Sequence, residues 1–311
     1  MAPNDFLPLR RTALALVLLA TLSGCATTQT APVTTAPAPA PVVEVVPAND
    51  NLNAVLWLQG SVEYRLIAGQ TWRSALAQLD KAIKSPDWDA LPKEARDGAV
   101  ARGLPMAVIV DVDETVLDNS IYQARLVANS GAFDEATWDA WVQEQAAPAV
   151  PGALPFAQNA ARRGVEVFYI SNRTQAQAAP TLANLKALGF PSADADHYLG
   201  KGAPVADCVP TGSDKGCRRR AVGRTHRVLL QVGDQLGDFV DIADNSPPGR
   251  EAAVASYRGW IGERWFVLPN PTYGSWEPAL FGNDWKKSEA QRREAKRAML
   301  RVGIPAAASG E

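Results

Sequence analysis

Residues 106–110 read MAVIV and the next ten read DVDETVLDNS, so an unbroken apolar run passes directly into a stretch holding four carboxylates. A five-residue apolar run rich in β-branched side chains suits a strand buried on both faces. Carboxylates crowded at its end repel one another, so the fold must bring positive charge to that place.

The same design recurs twice. VEVFYI (165–170) leads into SNR, and RVLLQV (227–232) leads into GDQLGD; RWFVLP (264–269) is a shorter fourth segment. Helical patterns lie between, including one from Thr174 to Leu188 that Gly189 ends as a C-terminal cap. Strands alternating with helices predict an α/β fold built on a parallel sheet flanked by helices. Such sheets bind ligands beyond the carboxyl ends of their strands, so the three polar clusters converge on one edge.

Asp111 and Asp113 then face that edge from the first strand, and Asp234 and Asp238 reach it from the third. Carboxylates gathered this way cannot all stay ionised unaided. A hard divalent cation resolves the conflict, and oxygen-only ligation points to Mg2+. An EF-hand is excluded, because the sixth loop position is Val116 rather than Gly and the twelfth is Tyr122 rather than Glu. Zinc is excluded by the histidines, since His197 and His226 are the only two and lack metal-site spacing.

Charge removes another class of function. With 31 Lys and Arg against 33 Asp and Glu among 311 residues, the chain has no basic excess for a nucleic acid polymer.

The N-terminus reads as an export segment. Arg10 and Arg11 precede the apolar run 12–22, about half the length a membrane span requires. The LSGC that follows resembles a bacterial lipobox, which implies cleavage after residue 24, acylation of Cys25 and, with Ala26 next, an outer-membrane destination for the exported lipoprotein. Residues 26–48 are rich in Ala, Pro and Thr and read as an extended tether, leaving 49–311 as the folded domain. Export into an oxidising compartment makes Cys208 and Cys217, the remaining pair, a predicted disulfide.

Apolar residues three and four apart from Asn51 to Ile83 predict one long or two shorter amphipathic helices. DEATWDAWVQEQ predicts a further helix capped by Asp134. The segments about 51–100 and 121–160 are read as a helical cap over the site.

DVDETVLDNS, SNR, SDKGCRR and GDQLGDF resemble the four motifs of the haloacid dehalogenase (HAD) superfamily. VFYISNR and VLPNPTYGSWE narrow the resemblance to its class C (subfamily IIIB) acid phosphatases, outer-membrane lipoprotein 5′-nucleotidases. The resemblance implies a HAD-like, Rossmannoid core with a smaller helical cap, and hydrolysis of small phosphomonoesters through an aspartyl-phosphate. Asp111 is then the nucleophile and Asp113 the proton donor and acceptor, its main-chain carbonyl also binding Mg2+. Asp111 and Asp234 supply carboxylate ligands, with Asp238 behind them.

Ser171 and the backbone near Asn172 would donate to the phosphoryl oxygens, while Lys215 neutralises charge; Lys201 competes for that role. Arg173 is either a solvated residue starting a helix or a substrate contact, and Arg218–Arg220 read as a basic surface turn, with a substrate contact as the alternative. Phe133, Trp138 and Tyr273 are chosen as a slot for a flat leaving group, which in the family accepts nucleoside monophosphates and aromatic phosphates. A homodimer is consistent with the family. The cap segment 121–160 contains no lysine, which disfavours phosphonate cleavage, and Asp113 disfavours dehalogenation. The alternative to an enzyme is a surface lipoprotein that uses the fold only to bind a ligand or partner.

Overall fold

The computed structural model describes residues 48–303, apart from 97, 99, 210 and 211. Cys25, the export segment and the tether up to residue 47 lie outside the described residues. The described residues form one compact unit.

Five strands pair in parallel in the order β3-β2-β1-β4-β5: β1 Met106–Val110, β2 Glu166–Thr174, β3 Tyr198–Lys201, β4 Arg227–Gly233 and β5 Trp265–Val267. From β1 the chain moves outward through β2 and β3, then returns to lay β4 against the other side of β1. That reversal opens the crevice where open α/β sheets bind ligands. Strand β3 was not among the expected elements. YLGK has no apolar run, and it is a strand because its edge position buries Tyr198 and Gly200 against β2.

The helices are α1 Leu52–Gly60, α2 Val62–Lys84, α3 Ser120–Ala128, α4 Glu135–Glu144, α5 Ala153–Arg162, α6 Ala178–Leu188, α7 Gly216–Thr225, α8 Pro247–Ala255, α9 Trp276–Ala279 and α10 Glu289–Ala298. Ser61 separates the first two: its extended backbone breaks the helix, and its hydroxyl accepts from Tyr64 N at 3.0 Å to cap the second. Asp134 caps α4 by accepting from Ala136 N and Thr137 N, and Gly189 ends α6 at φ 87°.

Part of the segments 51–100 and 121–160, expected to form a cap, packs on the sheet. Helix α2 presents Ala68, Trp72, Ala75, Leu79 and Ala82 as one buried stripe, which packs with Phe156 of α5 on the sheet face made by Val108, Val110, Val167, Tyr169 and Phe266. A stripe of that width can only be buried against another layer, and the sheet supplies it. Helix α5 and the stretch of α2 from Ala68 to Ala82 therefore cover the sheet rather than the site. Helix α3 follows the DVDET loop directly, and α1 packs against α3.

The opposite sheet face carries Ala107, Ile109, Phe168, Val228 and Trp265, packed with Leu91, Val222 of α7 and Phe239. The alternation along β1 and β2 between these two cores is the pattern of strands buried on both sides. Among the described residues, no helix is long and apolar enough to cross a membrane.

Candidate active site

Strand β1 ends at Val110, and the next residue, Asp111, continues the ladder by donating its N–H to Val232 O at 3.0 Å. That pairing holds Asp111 beside the end of β4, from which Asp234 and Asp238 project. One carboxylate oxygen from each of the three lies within 4.8 Å of the others. Lys215, on the residue before α7, donates from Nζ to Asp111 Oδ1 and to Asp238 Oδ1, the latter at 2.7 Å. Lys201 is exposed at the end of β3, so the geometry chooses between the two lysines.

The charges share one buried volume. Burial raises the Asp111 carboxyl well above the usual range, with Lys215 opposing and Asp238, Asp234 and Asp113 reinforcing. Burial and then Asp238 push Asp234 up to about 6, although Asn270, Gln235 and Lys215 pull it down. For Lys215 burial alone would lower the amine, but Asp111 and Asp238 outweigh it and hold the amine above its ordinary value. One ammonium against three carboxylates leaves negative charge in excess. The donor set is all oxygen and compact, which fits a hard divalent cation held by Asp111, Asp234 and Asp238.

Asp113 is held apart from this cluster. Its Oδ1 accepts from Asn119 Nδ2 and Arg173 Nε, both at 2.9 Å, and its Oδ2 accepts from Ser171 Oγ at 3.2 Å. Arg173 is buried, 2% exposed, and spends its remaining donors on Asn119 Oδ1 and Thr181 Oγ1, with its guanidinium 5.3 Å from the Trp138 ring. It is therefore neither a solvated helix start nor a free substrate contact. It orients Asp113, because β2 runs four residues past Ile170 and turns this side chain inward.

The basic surface turn expected at 218–220 is also corrected. Arg218 and Arg219 are buried. Arg218 donates to the Ser171 carbonyl, to Asn172 Oδ1 at 2.8 Å and to the Asp214 carbonyl at 2.8 Å, while Arg219 pairs with Asp241. These bonds tie the start of α7, and so Lys215, to the end of β2. Asp214 Oδ1 also accepts from Gly216 N at 2.6 Å, just ahead of the first turn of α7. Cys208 and Cys217 form a disulfide across this loop.

Of the residues chosen for a slot, Phe133 is 58% exposed and belongs to an aromatic cluster with Tyr122 and Trp138. Tyr273 lies in the loop after β5 and is partly exposed, its hydroxyl donating to Glu114. Asn172 is exposed at the sheet edge. Sequence reasoning missed Asn119, which joins Asp113, Arg173 and the Trp141 indole through both ends of its amide. Its place inside DVDETVLDNS was the available signal.

A five-stranded parallel sheet carrying an aspartate at the end of its central strand, two more from the adjacent strand and a lysine between them defines an α/β protein of the haloacid dehalogenase type. The family model for HAD superfamily, subfamily IIIB (acid phosphatase), matches residues 47–276, and the chain belongs to that family. The class C acid phosphatase from Bacillus anthracis superposes with a TM-score of 0.70 at 32% identity, covering 82% of this chain and 98% of that one. A tungstate-bound structure of the Bacillus anthracis class C enzyme matches with the same TM-score at 31% identity and the same coverage. Acid phosphatase 1 of Solanum lycopersicum is 28% identical over 165 residues, 53% of this chain and 57% of that protein. The chain thus aligns with little more than half the length of this curated relative.

Proposed function

We propose that the chain is a Mg2+-dependent acid phosphatase that hydrolyses small phosphomonoesters, with nucleoside monophosphates and aromatic phosphates as its substrate class. The observation that carries the reading is the meeting of Asp111, Asp234 and Asp238 within 4.8 Å around Lys215 at the switch point of the sheet. Family membership supports the reaction, and the tungstate bound to the related Bacillus anthracis enzyme supports an oxyanion as ligand.

In this reading Asp111 attacks phosphorus in line, forming the acyl-phosphate bond as the ester P–O bond breaks. Asp113 gives its proton to the departing alkoxide and later takes one from the water that hydrolyses the aspartyl-phosphate. Arg173, Asn119 and Ser171 fix the direction in which that proton moves. Lys215 restrains Asp111 and balances the negative charge of the transferring group. Asp111, Asp234 and Asp238 would hold Mg2+, which would supply further charge neutralisation to the transferring group. The ring of the leaving group stacks among Phe133, Trp138 and Tyr273.

Phosphate release is measured from a panel of nucleoside monophosphates, an aromatic phosphate and sugar phosphates, with and without EDTA, for wild type and Asp111→Asn. Metal-dependent release that the substitution abolishes is expected. Equal activity in Asp111→Asn would remove that residue from its role, and activity confined to sugar phosphates would remove the slot. The reading extends to an exported lipoprotein anchored in the outer membrane through Cys25, supported by the LSGC sequence. A mature N-terminus at any other residue, found by mass spectrometry, would sink it.

A further inference from the structure

The loop from Asn270 to Ser275 is stitched to the carboxylate end of the sheet. Asn270 Nδ2 donates to Asp234 Oδ2 at 2.8 Å. Gln235 Nε2 donates to the Tyr273 carbonyl at 3.2 Å, and Gln235 Oε1 accepts from Ser275 N at 3.2 Å. Gly274 permits this: at φ 144° any Cβ would lie 2.2 Å from Gln235 Oε1, so only glycine lets the amide reach both sides of the loop. The backbone of the loop is therefore held by the segment that follows β4.

The side chain of Tyr273 is held from a different direction. Its hydroxyl donates to Glu114 Oε2, while Glu114 Oε1 accepts from Asn119 N at 2.9 Å. Glu114 is buried and adopts φ 56°, a left-handed conformation that a residue with a side chain enters only where its surroundings enforce it. Both of its oxygens are committed to protein donors. It sits next to Asp113 in sequence, yet no step of the proposed hydrolysis uses it.

We propose that Glu114 is a positioning residue: by holding the Tyr273 hydroxyl it orients the ring for stacking and so sets the preference for ring-bearing over aliphatic phosphomonoesters. The inference rests on the proposed role of Tyr273 in the slot. A ring fixed at its Cβ by a stitched loop and at its hydroxyl by a buried carboxyl has little rotational freedom left to lose when a substrate stacks on it.

The test is the ratio of kcat/KM for adenosine 5′-monophosphate to kcat/KM for glycerol phosphate in Tyr273→Phe, Tyr273→Ala, Glu114→Leu, Glu114→Gln and the Glu114→Leu/Tyr273→Phe double variant. Loss of the hydroxyl tether is expected to lower this ratio by up to about tenfold in Tyr273→Phe, the size of one hydrogen bond. Glu114→Leu should match it, Glu114→Gln should recover part of the loss, and the double variant should fall no further than either single one. General damage to the fold lowers both rates together and leaves the ratio in place, so it does not imitate the effect. An unchanged ratio in Tyr273→Phe beside a reduced one in Tyr273→Ala would overturn the tether while leaving the slot standing. An unchanged ratio in Tyr273→Ala would overturn the slot itself.

Discussion

Arg173 shows how much one buried side chain can organise. Its guanidinium touches Asp113, Asn119 and Thr181 and faces the ring of Trp138, so it links Asp113, the proposed proton donor, to the helices beyond β1. Removing one partner of a buried pair leaves the other uncompensated. Arg173→Ala is therefore expected to lower stability by about 3–5 kcal/mol, measured by urea denaturation. It should also cut kcat by roughly 100-fold or more through the loss of an aligned proton donor. A variant that kept wild-type kcat would show that Asp113 needs no such alignment. The residues SNR were visible in the sequence, but burial was not: an arginine after a strand looks the same whether its side chain points to solvent or to an aspartate 60 positions away.

At the scale of elements, the amino end of the sheet gathers both histidines of the chain. His197, just before β3, bonds Asp194 Oδ1 through Nδ1 at 2.7 Å and Glu166 Oε2 of β2 through Nε2 at 2.9 Å. His226, between α7 and β4, approaches the same Glu166 oxygen at 3.3 Å. Burial of the His197 ring opposes its charging, but the bonds to Asp194 and Glu166 outweigh that and raise its pKa above the usual value. A group raised in the folded state stabilises fully below its unfolded pKa, about 6.5 for histidine, and the contribution is lost as pH rises through the folded value. The melting temperature of wild type should thus decline from pH 6 toward pH 8 more steeply than that of His197→Gln. Parallel declines would show that this junction does not titrate in that range.

Helical periodicity was read correctly as periodicity along α2, α4 and α6, yet it could not say what each stripe packs on. The stripe of α2 looked like part of a cap and is a sheet-covering layer, because a hydrophobic face specifies that it is buried and not by what. Strand β3 escaped notice for the complementary reason: its four residues carry no pattern, and only pairing with β2 makes them a strand.

For the whole molecule, the carboxylate cluster bridges the two strands on either side of the switch point, so its charge is a property of the assembled fold. Excess negative charge held in one buried volume costs stability, and a cation that binds only the folded arrangement offsets it. Magnesium at 100 times its dissociation constant should therefore stabilise the protein by about 2.7 kcal/mol, seen as a higher melting temperature that EDTA reverses. Asp234→Asn should remove most of that response. A melting temperature indifferent to Mg2+ would mean the three aspartates do not form a cation site.

Taken alone, the amino-acid sequence determined the α/β class, the order of the strand-then-polar motifs, the identity of the acidic residues and the resemblance to subfamily IIIB, since each is written in local pattern. Tertiary structure alone decided which oxygens of Asp111 and Asp238 the Lys215 ammonium meets, that Arg173 and Arg218 are internal braces, and that Glu114 reaches Tyr273. Those choices depend on contacts between residues such as Lys215 and Asp111, 104 positions apart, which become neighbours only when β1, β2 and β4 pair side by side.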